Sequence, residues 1–71
     1  MADVRQLLTD AALQLGDRLE AELLLVHVLD KPRSWLIAHA DDALDASHAT
    51  GYAALVERRR HGEPVAYITG R

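Results

Sequence analysis

Few side chains in this 71-residue chain are of a type that does chemistry, and their spacing keeps them apart. The candidate metal ligands are His27, His39, His48 and His61. No two stand four residues apart, the spacing that puts two imidazoles on one helical face, and there is no cysteine to supply a thiolate. His27 falls inside an apolar helical run, where a hydrogen-bonded structural histidine is the expectation. A hydroxyl nucleophile needs a neighbouring base held by a third group, whereas Ser34 and Ser47 sit where helix caps belong. Asp41, Asp42 and Asp45 could form a carboxylate pair, but they fall between helices with no opposing face and read as solvated caps. A phosphate cradle needs closely spaced glycines, and Gly16, Gly51, Gly62 and Gly70 are too far apart. Taken alone, the polypeptide holds no catalytic, cofactor-binding or metal-binding residues.

What remains is the run Arg58, Arg59, Arg60 and the segment after it. Three arginines at a helix C-terminus interact favourably with the helix dipole and aid solubility. Successive helical residues point about 100° apart, so the three cannot serve one surface, and at least one should face inward or toward a neighbour. Residues 1–57 hold four basic and ten acidic side chains, net −6. Residues 58–71 hold Arg58, Arg59, Arg60 and Arg71 against Glu63, net +3. The total of −3 disfavours a general nucleic-acid binder.

Helices must position these groups. Asp3 caps a run in which Val4, Leu7, Leu8, Ala11, Ala12 and Leu15 share one face; Gln6 completes a capping-box pattern, and Gly16 closes the helix. Asp17, with Glu20 as its box partner, opens a second helix that is apolar nearly all round over 19–29. Leu19, Leu23 and Val26 cover one side; Ala21, Leu24, Leu25 and Val28 cover much of the rest. Such a helix belongs in the middle of a bundle. Pro32 breaks it, and Ser34 is expected to cap a short third helix over about 35–40. After a loop at 41–44, Asp45 starts a fourth helix to about residue 61, with a stripe of Ala49, Tyr52, Ala53, Leu55 and Val56 and a stop at Gly62. Gly51 inside it should cost about 1 kcal/mol relative to Ala unless another backbone comes close. Pro64 suits a first helical position and Gly70 a terminator, giving a single turn over about 64–68. Leu7, Leu8, Leu19, Leu23, Val26, Leu36, Leu55 and Val56 are the expected core. Val65, Tyr67 and Ile68 are too apolar for a free terminus and require cover from this domain or from something else. The expected fold is all-α, a small bundle of four helices plus a short fifth helical turn.

Size and composition agree with a single domain. Twelve Ala and twelve Leu, with few β-branched aliphatics, favour helix. No apolar run approaches the ~18 residues of a membrane span, and the N-terminus has no basic region of a secretory signal, so the cytoplasm is the expected compartment.

The stretch Glu57-Arg58-Arg59-Arg60-His61-Gly62-Glu63-Pro64-Val65-Ala66-Tyr67-Ile68-Thr69-Gly70 resembles the end of the N-terminal domain in HemK/PrmC proteins. These methyltransferases modify the glutamine of the Gly-Gly-Gln motif in peptide-chain release factors. In that family an arginine-ending helix runs into Gly-Glu-Pro-x-x-Tyr-Ile-x-Gly, then into a β-hairpin and the catalytic domain. Glu20-Ala21-Glu22-Leu23-Leu24-Leu25 is similar to the family's second helix, and residues 31–36 to its next turn and helix start. The resemblance covers essentially the whole chain.

The resemblance implies a domain organisation of a helical bundle over 1–62 and, over 63–71, the start of a linker toward an absent S-adenosylmethionine-dependent catalytic domain. Arg58, Arg59, Gly62, Glu63, Pro64, Tyr67 and Gly70 would form a structural junction between the two. The family's Asn-Pro-Pro-Tyr motif, which grips the substrate amide, is missing, since the sequence has no Asn and no adjacent prolines. The cofactor, S-adenosylmethionine, would therefore belong to the parent enzyme and not to this chain. Implied partners are a release factor and the chain's own catalytic domain, with no direct nucleic acid and no membrane, and the chain is expected to be a monomer. The alternatives are the same domain of the related ribosomal-protein glutamine methyltransferase and a stand-alone helical interaction module.

Overall fold

Asp3 starts the fold where the sequence predicts, its carboxylate accepting the Gln6 N–H at 2.8 Å. The computed structural model describes residues 2–70, and from Asp3 onward it is a succession of helices: α1 (Val4–Leu15), α2 (Arg18–Leu29), α3 (Arg33–Ala38), α4 (Ala46–Arg60) and α5 (Val65–Thr69). The all-α expectation holds. An isolated antiparallel bridge joins Asp3 to Ala43. Around it, the Val4 N–H donates to the Asp42 carbonyl at 3.0 Å and the Arg5 N–H to that of Ala40 at 2.9 Å. The α3–α4 loop thus satisfies donors that the first helical turn leaves without intrahelical partners.

Both capping boxes form only by half. Asp3 and Asp17 each accept the N–H three residues on. The return bonds are missing, because Gln6 turns to Asp10 and Glu20 is taken by Arg59. The turn between α1 and α2 rests on Gly16, at φ 70°, a left-handed conformation that suits a residue without a Cβ. α3 begins two residues earlier than predicted. The Pro32 carbonyl accepts the Trp35 N–H at 3.0 Å, so Pro32 occupies the cap position and Ser34 lies inside the first turn. Ser47 is likewise inside α4, whose cap position is held by Asp45. Asp45 spends its carboxylate on the His48 ring instead of the backbone, and that bond holds its pKa below the usual range.

α2 packs against each of the other four helices, as an all-round apolar helix should. The core consists of Val4, Leu8 and Ala11 of α1, Ala21, Leu24 and Leu25 of α2, Leu36 of α3, Leu44 of the loop, Tyr52 and Val56 of α4, and Ile68 of α5. Of the expected core residues, Leu8, Leu36 and Val56 are buried, and Leu7, Val26 and Leu55 pack partly buried at its edge. Leu19 and Leu23 are corrections, being 49% and 38% exposed. With apolar residues on nearly every side of α2, periodicity does not reveal which side meets the core; Ala21, Leu24 and Leu25 do. Tyr52 brings a hydroxyl into the core and donates it to the Ala21 carbonyl at 2.8 Å, which meets the demand that a buried polar group be bonded. Burial raises its pKa well above the usual value. Gly51 has no backbone neighbour; a Cβ there would meet only Val28 Cγ1, at 4.0 Å.

Candidate functional site

Each arginine that ends α4 takes a different carboxylate, as their angular spacing requires. Arg59 reaches back to α2 and grips Glu20 with two hydrogen bonds, Nε to Oε1 at 2.9 Å and Nη2 to Oε2 at 3.3 Å. This is the neighbour-facing arginine that the sequence called for, and the Glu20 hydrogen bond raises its pKa further. Arg60 lies on Glu57 at 2.9 Å, and the other oxygen of Glu57 meets His61 Nε2 at the same distance. The His61 bond, then that of Arg60, lowers the Glu57 pKa. Arg58 pairs with Glu63 across the turn that follows. Glu63 Oε2 is shut away from solvent and makes no hydrogen bond of good geometry, so its contact with Arg58 is an ion pair rather than a directed bond.

That turn is held by its backbone. The Gly62 N–H donates to the Arg59 carbonyl at 3.0 Å and the Glu63 N–H to that of Arg58 at 3.2 Å, with Gly62 at φ 97°. Pro64 stands one position before the first helical residue rather than at it. Its carbonyl accepts the N–H groups of Tyr67 at 3.0 Å and Ile68 at 3.1 Å. Gly70, at φ 75°, ends α5 as predicted; Arg71 lies outside the described residues. The apolar tail divides. Ile68 enters the core, Val65 is partly buried, and Tyr67 is 77% exposed. The structure thus joins Arg58 to Glu63 and sets Gly62 and Pro64 between α4 and α5, while Arg59 and Tyr67 face elsewhere.

Beside α5 runs a groove of about 750 Å3. Leu23 and Val26 of α2 and Val65 and Ala66 of α5 give it apolar walls, and His27, Asp30 and Lys31 line it as well. Asp30 ends α2 in a left-handed conformation (φ 55°, ψ 45°) and is the one residue other than glycine with positive φ among those described. His27, expected as a hydrogen-bonded core residue, is instead exposed and makes no hydrogen bond among the described residues. α2 carries its apolar residues on so many sides that His27 gave no sign of lying on the open one. A smaller network joins α2 to the start of α3, with Glu22 accepting from Arg18 Nε at 3.0 Å and Arg33 Nε at 2.9 Å. The Arg59–Glu20 and Arg33–Glu22 contacts escape sequence reasoning because each crosses between elements, whereas Arg18–Glu22 is an i,i+4 pair within α2.

Among the described residues no three His, Asp or Glu side chains are grouped to hold a metal ion, and no helix is long and apolar enough to cross a membrane. Asp42 hydrogen-bonds the His39 ring at 2.6 Å and Asp41 pairs with Arg5, so the loop carboxylates serve local structure. Gly16, Gly62 and Gly70 follow separate helices and Gly51 lies inside α4, so the fold assembles no glycine-rich loop.

A family model described as the PrmC N-terminal domain matches residues 2–70. The chain is 47% identical over 64 residues to a release factor glutamine methyltransferase of Xylella fastidiosa (strain 9a5c), an overlap of 90% of this chain and 23% of that protein. It is 41% identical over 70 residues to the protein of that name from Bordetella pertussis, covering 99% of this chain and 25% of the relative. A bifunctional methyltransferase of Rickettsia conorii is 36% identical over 73 residues, 94% of this chain and 14% of its own length. The chain thus spans about a quarter or less of the curated relatives it matches. No solved structure matches it.

Proposed function

The chain belongs to the PrmC N-terminal domain family, and on that premise we propose that it is the substrate-recognition domain of a release factor glutamine methyltransferase. The observation that carries this reading is a match over nearly the whole chain to proteins about four times as long. Methyl transfer from S-adenosylmethionine would then belong to the rest of the parent protein. The glycines present here do not fit that cofactor's phosphate-type cradle, since among the described residues Gly16, Gly62 and Gly70 follow separate helices and Gly51 lies inside α4.

On this reading residues 63–71 begin the linker, and Arg58, Arg59, Gly62, Glu63, Pro64, Tyr67 and Gly70 form the junction. Arg59 anchors the end of α4 to α2, and the Arg58–Glu63 pair braces the turn. Exposed Tyr67 offers the apolar surface against which the catalytic domain rests. The basic run is a poor footprint for nucleic acid, because Arg58, Arg59 and Arg60 are each neutralised by a carboxylate of this chain. Recognition of a protein partner by a monomeric cytoplasmic domain is the function we assign.

Steady-state methylation by the full-length enzyme, with and without this domain, tests the assignment. Deleting residues 2–61 should raise KM for the release factor at least about tenfold, about 1.4 kcal/mol of binding, and leave KM for S-adenosylmethionine unchanged. An unchanged release-factor KM would refute substrate recognition. Saturable binding of the cofactor to the isolated chain would refute the division of labour.

A further inference from the structure

The charged and imidazole side chains of this domain are almost completely satisfied from within. Arg5, Arg18, Arg33, Arg58, Arg59 and Arg60 are all ion-paired. His39, His48 and His61 each meet a carboxylate. Asp3 and Asp17 accept backbone N–H groups, and Asp10 accepts from Gln6. Among the described residues three such side chains are left without a hydrogen bond or ion pair: His27, Asp30 and Lys31. All three line the groove between α2 and α5.

Their coincidence there has a second support in the backbone. Asp30 holds a left-handed conformation that glycine adopts without penalty, and glycine occupies the equivalent place after α1 and α5. The domain bears an aspartate at that position although its carboxylate bonds nothing in the fold. The apolar walls, with Leu23 38% exposed, supply the other half of a recognition site. One pocket for a hydrophobic side chain, flanked by an uncompensated cation, an uncompensated anion and a free imidazole, matches a peptide segment of mixed charge.

We propose that the α2–α5 groove docks a segment of the substrate protein in which a bulky apolar residue lies between an acidic and a basic one. The apolar side chain enters between Leu23, Val26 and Val65, the acidic group meets Lys31 and His27, and the basic group meets Asp30. The choice of occupant rests on the substrate-recognition reading above, and the geometry of α5 leaves room for it. At about 100° per residue, Val65, Ala66 and Thr69 share one side of α5 and Tyr67 points to the other. A catalytic domain resting on Tyr67 leaves the groove open for substrate.

Titration of the 15N-labelled chain with release factor, read by amide shifts and a fitted Kd, tests this. Shifts should concentrate on residues 23–31 and 65–69. Lys31→Glu, which inverts a charge without breaking any internal contact, should weaken Kd at least about tenfold. Ala66→Trp, which fills the exposed groove, should abolish binding, and Tyr67→Ser should leave Kd unchanged. Circular dichroism and Tm should match the parent chain for Lys31→Glu and Tyr67→Ser. If release factor binds but Lys31→Glu and Ala66→Trp bind it equally well, the groove is refuted and the substrate-recognition reading stands. If the unaltered chain does not bind release factor at all, both are refuted. Groove shifts that grow with the chain's own concentration would assign the groove to a second copy and overturn the proposal.

Discussion

The two sides of α2 carry the same kind of residue and meet different ends. Ala21, Leu24 and Leu25 are fully buried against neighbouring helices, whereas Leu19 and Leu23, one turn apart on the same helix, stand half open, Leu23 in the groove beside α5. On the closed side even the polar group is answered, Tyr52 O–H meeting the Ala21 carbonyl. On the open side His27, Asp30 and Lys31 are answered by nothing in the described chain. Apolar patterning records that a helix face requires cover; it does not record whether the same chain supplies it.

The sharpest way to break this contrast is to truncate one leucine from each side. Leu24→Ala should cost about 2–5 kcal/mol in urea unfolding, and Leu23→Ala less than about 1 kcal/mol because its side chain is already partly solvated. Equal losses would erase the distinction between the faces. Tyr52→Phe comes next, at about 1 kcal/mol, since it removes a buried donor while keeping the ring. A neutral result in the same experiment would show that the closed side is held by packing alone. Gly51→Ala should have the opposite sign, a gain of about 0.5–1 kcal/mol visible as a higher Tm, because the new methyl meets only Val28 at ordinary contact distance. A loss would show that α2 and α4 approach more closely than described.

The smallest effect concerns pH. Burial alone would raise the Glu22 pKa, but hydrogen bonds from Arg18 and Arg33, with the Arg33 charge, hold it below its ordinary 4.5. The unfolded chain therefore takes up this proton first as pH falls. The stabilisation is complete above about 4.5 and is lost as pH drops through the lower folded value. Asp45 and Glu57 act in the same sense. Glu22→Gln should flatten part of the acid limb of stability against pH; a limb that superimposes on the parent's would show that the Arg18–Glu22–Arg33 network contributes nothing.

Helix order, Gly16, Gly70 and the central place of α2 were all legible in the sequence, because caps, terminators and breakers act over a few residues. The side of α2 that meets the core was not, since a helix apolar all round has no phase to read. Nor was the start of α3, where a proline carbonyl opens the turn ahead of the serine that looked like its cap. Arg58–Glu63 was within reach of a five-residue spacing, whereas Arg59–Glu20 joins residues 39 apart and depends on how α4 crosses α2. The groove was legible only as its separate parts: an apolar tail, a turn at Pro32 and a histidine read as buried.

The bridge at Asp3 bears on the order of folding. Two donors of the first turn of α1, at Val4 and Arg5, find their acceptors at Asp42 and Ala40. A nascent chain holding only α1 and α2 can build its helical hairpin but cannot finish the beginning of α1, since the carbonyls that complete it have yet to be made. The first residues of the domain are therefore among the last to become fixed. In a fragment that stops at Asp30, the amides of Val4 and Arg5 should exchange freely while those of Leu24 and Leu25 are already slowed.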